Sequence, residues 1–152
     1  MCMPEMFVVP NDLLLSRAVQ AVAQGQVAKI PVRGHSMDPF IRGKHDCVEL
    51  YPPVDVRIGD LVLAKVTDEQ YMLHRIFRFE GDTGVVLMGD GNVDKQEFCH
   101  RKDIKAKALV IVSENGKRTR LDSRRMKAAA RVWRWLLPCR GVLLRIFRKL
   151  FR

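Results

Sequence analysis

The order of hydrophobic and polar positions changes twice along the chain. Between Asp12 and Gln24 the apolar residues recur at helical spacing, and Asn11 can cap this segment while Gly25 can end it. From residue 28 to residue 113 they alternate with polar residues or form short β-branched runs between turn residues, which is typical of strands. After Asp122 the helical spacing returns. The pattern therefore predicts a helix, then a β region, then a helical tail.

The β region carries most of the predicted structure. Short strands that follow one another without intervening helices favour an antiparallel arrangement. The predicted fold class is mainly β, a compact antiparallel core with a short N-terminal helix and two C-terminal amphipathic helices. A chain of 152 residues can bury a core of its own, so we predict a β domain over residues 1–121 and a basic helical tail over residues 122–152. The five or six predicted strands are residues 28–33, 46–52, 60–66, 71–79, 84–89 and 107–113.

Positive charge is concentrated in the tail. The whole chain carries a formal net charge of +10. Residues 1–116 hold 14 basic and 16 acidic residues, whereas residues 117–152 hold 13 basic residues and a single acid, Asp122. Such asymmetry suggests that the tail meets an anionic partner, either a membrane surface or a nucleic acid.

The tail divides into two amphipathic segments, residues 123–137 and 142–152, separated by Pro138 and Gly141. We expect residues 123–152 to contact an anionic membrane surface without spanning it. The alternative is that their apolar faces close onto the β core or onto a partner subunit. A nucleic acid is the less favoured partner, because the rest of the chain is slightly acidic and the tail contains no known DNA- or RNA-recognition motif. In the second segment the apolar side comprises Val142, Leu143, Ile146, Phe147, Leu150 and Phe151, and the basic side comprises Arg145, Arg148, Lys149 and Arg152.

The N-terminus lacks the features of a secretory leader. It has no basic start, and Pro10, Asn11 and Asp12 interrupt its apolar runs. No stretch is apolar for long enough to predict a spanning helix. We therefore expect a cytoplasmic protein, associated with the cytosolic face of a membrane if the tail docks there. No cofactor and no metal are expected, since the spacing of His45, Cys47, Cys99 and His100 fits no standard zinc pattern.

Three residues carry candidate chemistry. Ser36 lies in a loop between Gly34 and Pro39, His74 lies inside an otherwise apolar strand, and Asp90 lies between two glycines. Taken singly, each has an ordinary structural explanation as a turn or core residue. Together they form the set that a serine peptidase needs, in which imidazole takes the serine proton and a carboxylate fixes the imidazole tautomer.

Five segments, in the order in which they occur, resemble the superfamily of type I signal peptidases and self-cleaving SOS repressors. The resemblance extends from about Ile30 to Val112 and implies a β-rich catalytic core with Ser36 as the nucleophile. Bacterial signal peptidases and the repressors use a lysine base, whereas the endoplasmic-reticulum-type enzymes carry a histidine, so His74 places the resemblance with the histidine branch. Neutral imidazole can act as a base near pH 7. The segments are GHSMDP, RIGDLVLAKV, MLHRI, LMGDGNVD and DIKAKALVIV.

The resemblance implies a serine endopeptidase that cleaves a peptide or a leader-like precursor. We favour Asp90 as the acid, with Asp94 as the alternative. Gly34 allows a sharp turn that leaves the Ser36 amide as the oxyanion donor. Met37 provides a soft apolar wall for a substrate side chain or simply packs. The alternative function is a catalytically inactive peptide-binding β module whose basic tail binds a membrane or a nucleic acid.

Overall fold

The computed structural model describes residues 11–151. The predicted absence of a leader, and the assignment of Arg152 to the basic side of the tail, concern residues outside this range. The helices are α1 (Asn11–Ala23), α2 (Arg124–Trp135) and α3 (Arg140–Phe151). The strands are β1 (Ala28–Pro31), β2 (Cys47–Tyr51), β3 (Leu61–Thr67), β4 (Gln70–Glu80), β5 (Gly84–Met88), β6 (Glu97–His100), β7 (Ile104–Val112) and β8 (Arg118–Arg120).

The strands form one antiparallel sheet, so the predicted mainly β class is confirmed. The strand order is β1-β2-β7-β3-β4-β5-β6. Strand β8 pairs with residues 110–112 of β7, beyond the residues of β7 that pair with β3. Short turns join β3 to β4 and β4 to β5, which is why these three strands lie side by side. In the register between β3 and β4, Val62 lies opposite His74. His74 is therefore held inside the sheet.

Both faces of the sheet are covered by apolar side chains. Along β3, Leu61 and Leu63 belong to one buried cluster, and Val62 and Ala64 belong to the other, because successive strand residues point to opposite faces. The first cluster includes the inner face of α1. Fully burying an apolar side chain of this size stabilises a fold by roughly 1.5–3 kcal/mol, so α1 is fixed on this face.

The tail forms two helices, as predicted, with ends that differ from the predicted ones by a few residues. The Ser123 hydroxyl caps α2 by accepting a hydrogen bond from the Met126 amide at 3.3 Å. Helix α2 buries none of its residues fully, whereas α3 buries Leu144 and Arg140. Within residues 11–151, every helix is too short or too polar to cross a bilayer.

Candidate active site

Ser36 lies in a closed loop between β1 and β2. At its base, the Lys44 amide donates to the Val32 carbonyl oxygen at 2.9 Å, and the Val32 amide donates to that of Asp46 at 3.0 Å. Gly34 has φ +73°, which favours glycine, as the sequence predicts. A Cβ built on Gly43 would lie 1.8 Å from the Gly34 carbonyl oxygen. The two limbs of the loop are therefore in backbone contact, and the loop presents Ser36 at a partly exposed turn.

The residue after the serine anchors the loop. Met37 is only 2 % exposed and packs in the cluster that contains Leu15 and Ile41. Its side chain points into the core because the turn that directs Ser36 outward directs the next residue inward. The prediction that Met37 forms a wall of the substrate pocket is therefore wrong for this structure, and the alternative of plain packing is correct.

Ser36 and His74 meet at Gly89, the residue that follows β5. A Cβ built on Gly89 would lie 2.3 Å from the Ser36 carbonyl oxygen and 3.1 Å from Nε2 of His74. The Gly91 amide donates to the same carbonyl oxygen at 2.8 Å. Only glycine allows this close approach of the two backbones. The structure therefore brings together the predicted nucleophile and the predicted base.

The imidazole of His74 has a buried carboxylate partner, Glu97 on β6. Nδ1 of His74 and Oε2 of Glu97 are 2.8 Å apart, and the two side chains are 2 % and 8 % exposed. An ionised carboxylate only accepts hydrogen bonds, so Nδ1 donates to it and Nε2 is left without a proton on the side of Gly89. This tautomer is the one that a general base requires.

Asp90 occupies a different place from the one predicted. Its carboxylate accepts hydrogen bonds from Nε of Arg75 at 2.9 Å and from Nη2 at 2.8 Å. His74 and Arg75 are consecutive strand residues and point to opposite faces of the sheet, so a carboxylate that pairs with Arg75 cannot also reach the imidazole. Asp94 is exposed. The expected placement of Asp90, or of Asp94, on His74 is therefore wrong, and Glu97 takes that place.

The hydroxyl and the amide N–H of Ser36 are available for hydrogen bonding. Across residues 11–151, neither Oγ nor the amide N–H of Ser36 has a hydrogen-bond partner. The hydroxyl can therefore turn toward a substrate, and the amide can donate to a developing oxyanion. Catalytic hydrogen bonds are often incomplete before substrate binds. The oxyanion role of the Ser36 amide stays a prediction.

The tail helices hold the two loops that meet at Gly89. Arg148 of α3 contacts Oδ2 of Asp38 at 3.4 Å, and its Nη2 donates to the carbonyl oxygen of Gly91 at 3.2 Å. On α2, the Trp133 indole donates to the Asp90 carbonyl oxygen at 2.9 Å. The tail thus closes onto the β core through part of its surface, as one of the two alternatives predicted. Arg148, expected on the exposed basic side, contacts the serine loop instead.

The cysteine and histidine residues considered for zinc are dispersed. Among residues 11–151, no three His, Cys, Asp or Glu side chains are grouped as metal ligands. His45 pairs with Glu114 at 3.0 Å instead. Burial raises the pKa of the Cys99 thiol to about 11, so this thiol stays protonated at neutral pH and is a poor nucleophile. Ser36 remains the candidate nucleophile.

Glu97 was missed because its strand was missed. Strand β6 has four residues and follows a polar loop. Two signals could have found it. Glu97 and Cys99 are partly or fully covered while Phe98 and His100 are exposed, which is the strand alternation. In addition, a glutamate can orient an imidazole as an aspartate does, so the acids that follow the Gly-Asp pair include Glu97 as well as Asp94.

A comparison with models of known protein families found no match, and a comparison with curated proteins found none either. The resemblance to signal peptidases and repressors therefore rests on the five sequence segments alone.

Proposed function

We propose that this protein is a serine endopeptidase with Ser36 as nucleophile, His74 as general base and Glu97 as the acid that orients His74. The observation that carries the proposal is the junction at Gly89. Nε2 of His74 and the backbone of Ser36 meet there, and a buried carboxylate holds the opposite nitrogen of the ring. The substrate class, a peptide or a leader-like precursor, follows from the sequence resemblance.

The chemistry requires no group outside the chain except water. Oγ of Ser36 attacks the peptide carbonyl carbon while Nε2 of His74 takes its proton. Glu97 stabilises the imidazolium, and the Ser36 amide donates to the oxyanion. The imidazolium then protonates the leaving amine, and an acyl-enzyme forms on Ser36. A water molecule, deprotonated by His74, hydrolyses this ester and releases the second product.

The test is digestion of a peptide library followed by mass spectrometry. We expect cleavage by the wild-type protein and none by Ser36→Ala or His74→Ala, with Ser113→Ala as a matched control because Ser113 lies in the turn between β7 and β8. Circular dichroism and thermal melting check that each variant folds. Equal turnover by Ser36→Ala and wild type would overturn the proposal. Peptide binding without cleavage by the wild type would favour the inactive binding module.

We also propose that the exposed side of the tail docks on an anionic bilayer, at the cytosolic face expected from the sequence. Val142, Ile146 and Leu150 follow one another along α3 and are 59 %, 52 % and 70 % exposed. Trp135 at the end of α2 is 88 % exposed. Residues 123–152 contain no acidic residue. The positive charge of the tail therefore attracts anionic lipid headgroups, and it repels the same face of a second copy of the protein. Each nearby lysine or arginine contributes roughly 1 kcal/mol at such a surface.

Point variants test docking better than truncation, because α3 also contacts the serine loop. We expect the wild type to sediment with phosphatidylglycerol vesicles at low salt and to stay in solution with phosphatidylcholine vesicles. Ile146→Ser with Leu150→Ser should abolish sedimentation. The matched control, Val54→Ser with Ile58→Ser, removes two exposed apolar side chains elsewhere and should bind normally. Unchanged binding by the α3 variant would refute docking through this face.

A further inference from the structure

A cavity of about 390 Å³ lies between α2 and the sheet. Neither Ser36 nor His74 lines it, so it is separate from the catalytic junction. It exists because α2 buries none of its residues fully against the strands beneath it. Its apolar lining includes Ile76, Phe77, Leu109, Met126 and Ala130.

The acidic side chains that line this cavity are already neutralised. Each of the three aspartates already forms an ion pair with another basic residue. The lining residue Arg57 is also paired, at 2.8 Å with the exposed Asp55. The three pairs are Asp60 with Lys107 at 3.0 Å, Asp90 with Arg75 at 2.8 Å, and Asp122 with Arg120 at 2.7 Å.

Among residues 11–151, four basic side chains of the lining form no ion pair with an acidic side chain: Lys127, Arg131, Arg134 and Arg140. Three of them, Lys127, Arg131 and Arg134, belong to α2 and are exposed. The guanidinium of Arg134 lies 4.7 Å from the centre of the Phe77 ring, over a wall of the cavity. The cavity therefore carries an uncompensated positive charge.

Arg140 is the most buried of these four positively charged side chains. Its side chain is 3 % exposed, and its two terminal nitrogens donate to the carbonyl oxygens of Asn92 and Trp133. Its Nε is buried without a hydrogen-bond partner. Burial lowers the pKa of Arg140. Asp90 attracts this charge without forming an ion pair with it. A buried charge that lacks an ion-pair partner costs free energy, so an anion in the cavity would be stabilised.

We infer that this cavity binds an acidic side chain of the peptide substrate. The inference rests on the proposed peptidase function and names the substrate class. Asp90 lines the cavity and directly follows Gly89, so the cavity and the catalytic junction adjoin the same turn after β5, although Arg75 points to the face of the sheet opposite to His74. A glutamate side chain fits the lining, since its methylene groups can pack on Phe77 and Met126 while its carboxylate meets Arg131 and Arg134.

The inference is tested by binding, in a chain that cannot cleave. Ser36→Ala protein is titrated into a rhodamine-labelled peptide of alternating glutamate and alanine, and into its glutamine counterpart, and fluorescence anisotropy gives Kd. We expect the acidic peptide to bind at least about 10-fold more tightly, since only glutamate can form charge-assisted hydrogen bonds with the arginine side chains. Adding Arg131→Gln and Arg134→Gln should remove this preference.

The matched control removes the same charge outside the cavity. Arg145→Gln with Lys149→Gln alters two exposed basic residues of α3, which do not line the cavity, and should leave the preference intact. Equal Kd values for the two peptides, or equal losses in the α2 and α3 variants, would overturn the inference.

Two outcomes separate the inference from the proposed function. If the acidic peptide binds selectively but the wild type cleaves nothing, the cavity stands and the peptidase proposal fails. If the wild type cleaves library peptides irrespective of acidic residues and the two peptides bind equally, the peptidase proposal stands and the cavity inference fails.

Discussion

The carboxylate of Glu97 lies 2.8 Å from Nδ1 of His74, and both side chains are buried. The two residues come from β6 and β4, which are separated in the sheet by β5. A carboxylate at this nitrogen orients the ring and stabilises the imidazolium that forms during acyl transfer. Asp90 instead forms an ion pair with Arg75. The arrangement gives the two acids different expected roles.

Replacing Glu97 tests its positioning role. Glu97→Gln should lower kcat by about 10²- to 10⁴-fold with little change in KM, because an amide can hold the wrong imidazole tautomer while the substrate site stays intact. The measurement is steady-state kinetics on a peptide found by library digestion. The comparison variant Asp90→Asn should lower the melting temperature more than Glu97→Gln does, because it leaves Arg75 without its charged partner. A larger loss of kcat in Asp90→Asn, at unchanged stability, would return the acid role to Asp90.

Gly89 should not tolerate a side chain. Gly89→Ala would place a Cβ 2.3 Å from the Ser36 carbonyl oxygen and 3.1 Å from Nε2 of His74, so the serine loop and the imidazole must move apart. Since small misplacements of reacting groups cost on the order of 10²-fold, we expect at least that loss in kcat. Gly141→Ala is the control, because its Cβ would meet Val93 at an ordinary 3.7 Å. If both variants keep full activity, the junction at Gly89 is not the catalytic site.

Arg148 should steady the serine loop. Arg148→Ala removes its contacts with Asp38 and with the carbonyl oxygen of Gly91. We expect faster amide hydrogen exchange in residues 35–41 and a decrease in kcat of about 10-fold, equivalent to one lost charge-assisted hydrogen bond. Arg145→Ala, on the exposed side of the same helix, should change neither quantity. Identical exchange in the two variants would show that α3 does not restrain the loop.

The stability of the protein should depend on pH through Glu49. Hydrogen bonding to Arg118 lowers the pKa of Glu49 from the ordinary value of 4.5. A carboxyl whose pKa is lower in the folded state stabilises the fold above its unfolded pKa, and this contribution disappears as the pH falls through the folded pKa. Urea unfolding of wild type and Glu49→Gln should therefore differ by about 1 kcal/mol at pH 7, and this difference should shrink as the pH falls below 4.5. A difference that does not change with pH would contradict this origin.

Much of the fold could be predicted from hydrophobic periodicity, because α1, β2 to β5, β7 and the tail helices each contain several apolar residues in phase. Strand β8 reads Arg-Thr-Arg and has no apolar residue, so no periodicity marks it. Strand β6 is too short for its alternation to stand out from the polar loop before it. Both short strands form because a longer neighbour offers unpaired hydrogen-bonding groups.

The site was predictable only as far as it depends on residue type. Ser36 and His74 could be selected because their chemistry is distinctive and their segments resemble known ones. The face of the sheet on which each side chain lies depends on strand register, which is why Asp90 was placed on His74 although its neighbour Arg75 binds it. The direction of Met37 depends on the turn of the serine loop, and the packing of Arg148 depends on which side of α3 the core covers.

The contact between Arg148 and Asp38 joins residues 110 positions apart in the chain. Ribosomes add about 5–20 residues per second, so a newly made serine loop waits on the order of 5–20 s before the helix that fastens it has been synthesised. For most of that interval the nascent chain holds both Ser36 and His74 without the restraint from α3. The order of synthesis would thus delay the restraint of the serine loop, and with it the proposed activity, until α3 has been made.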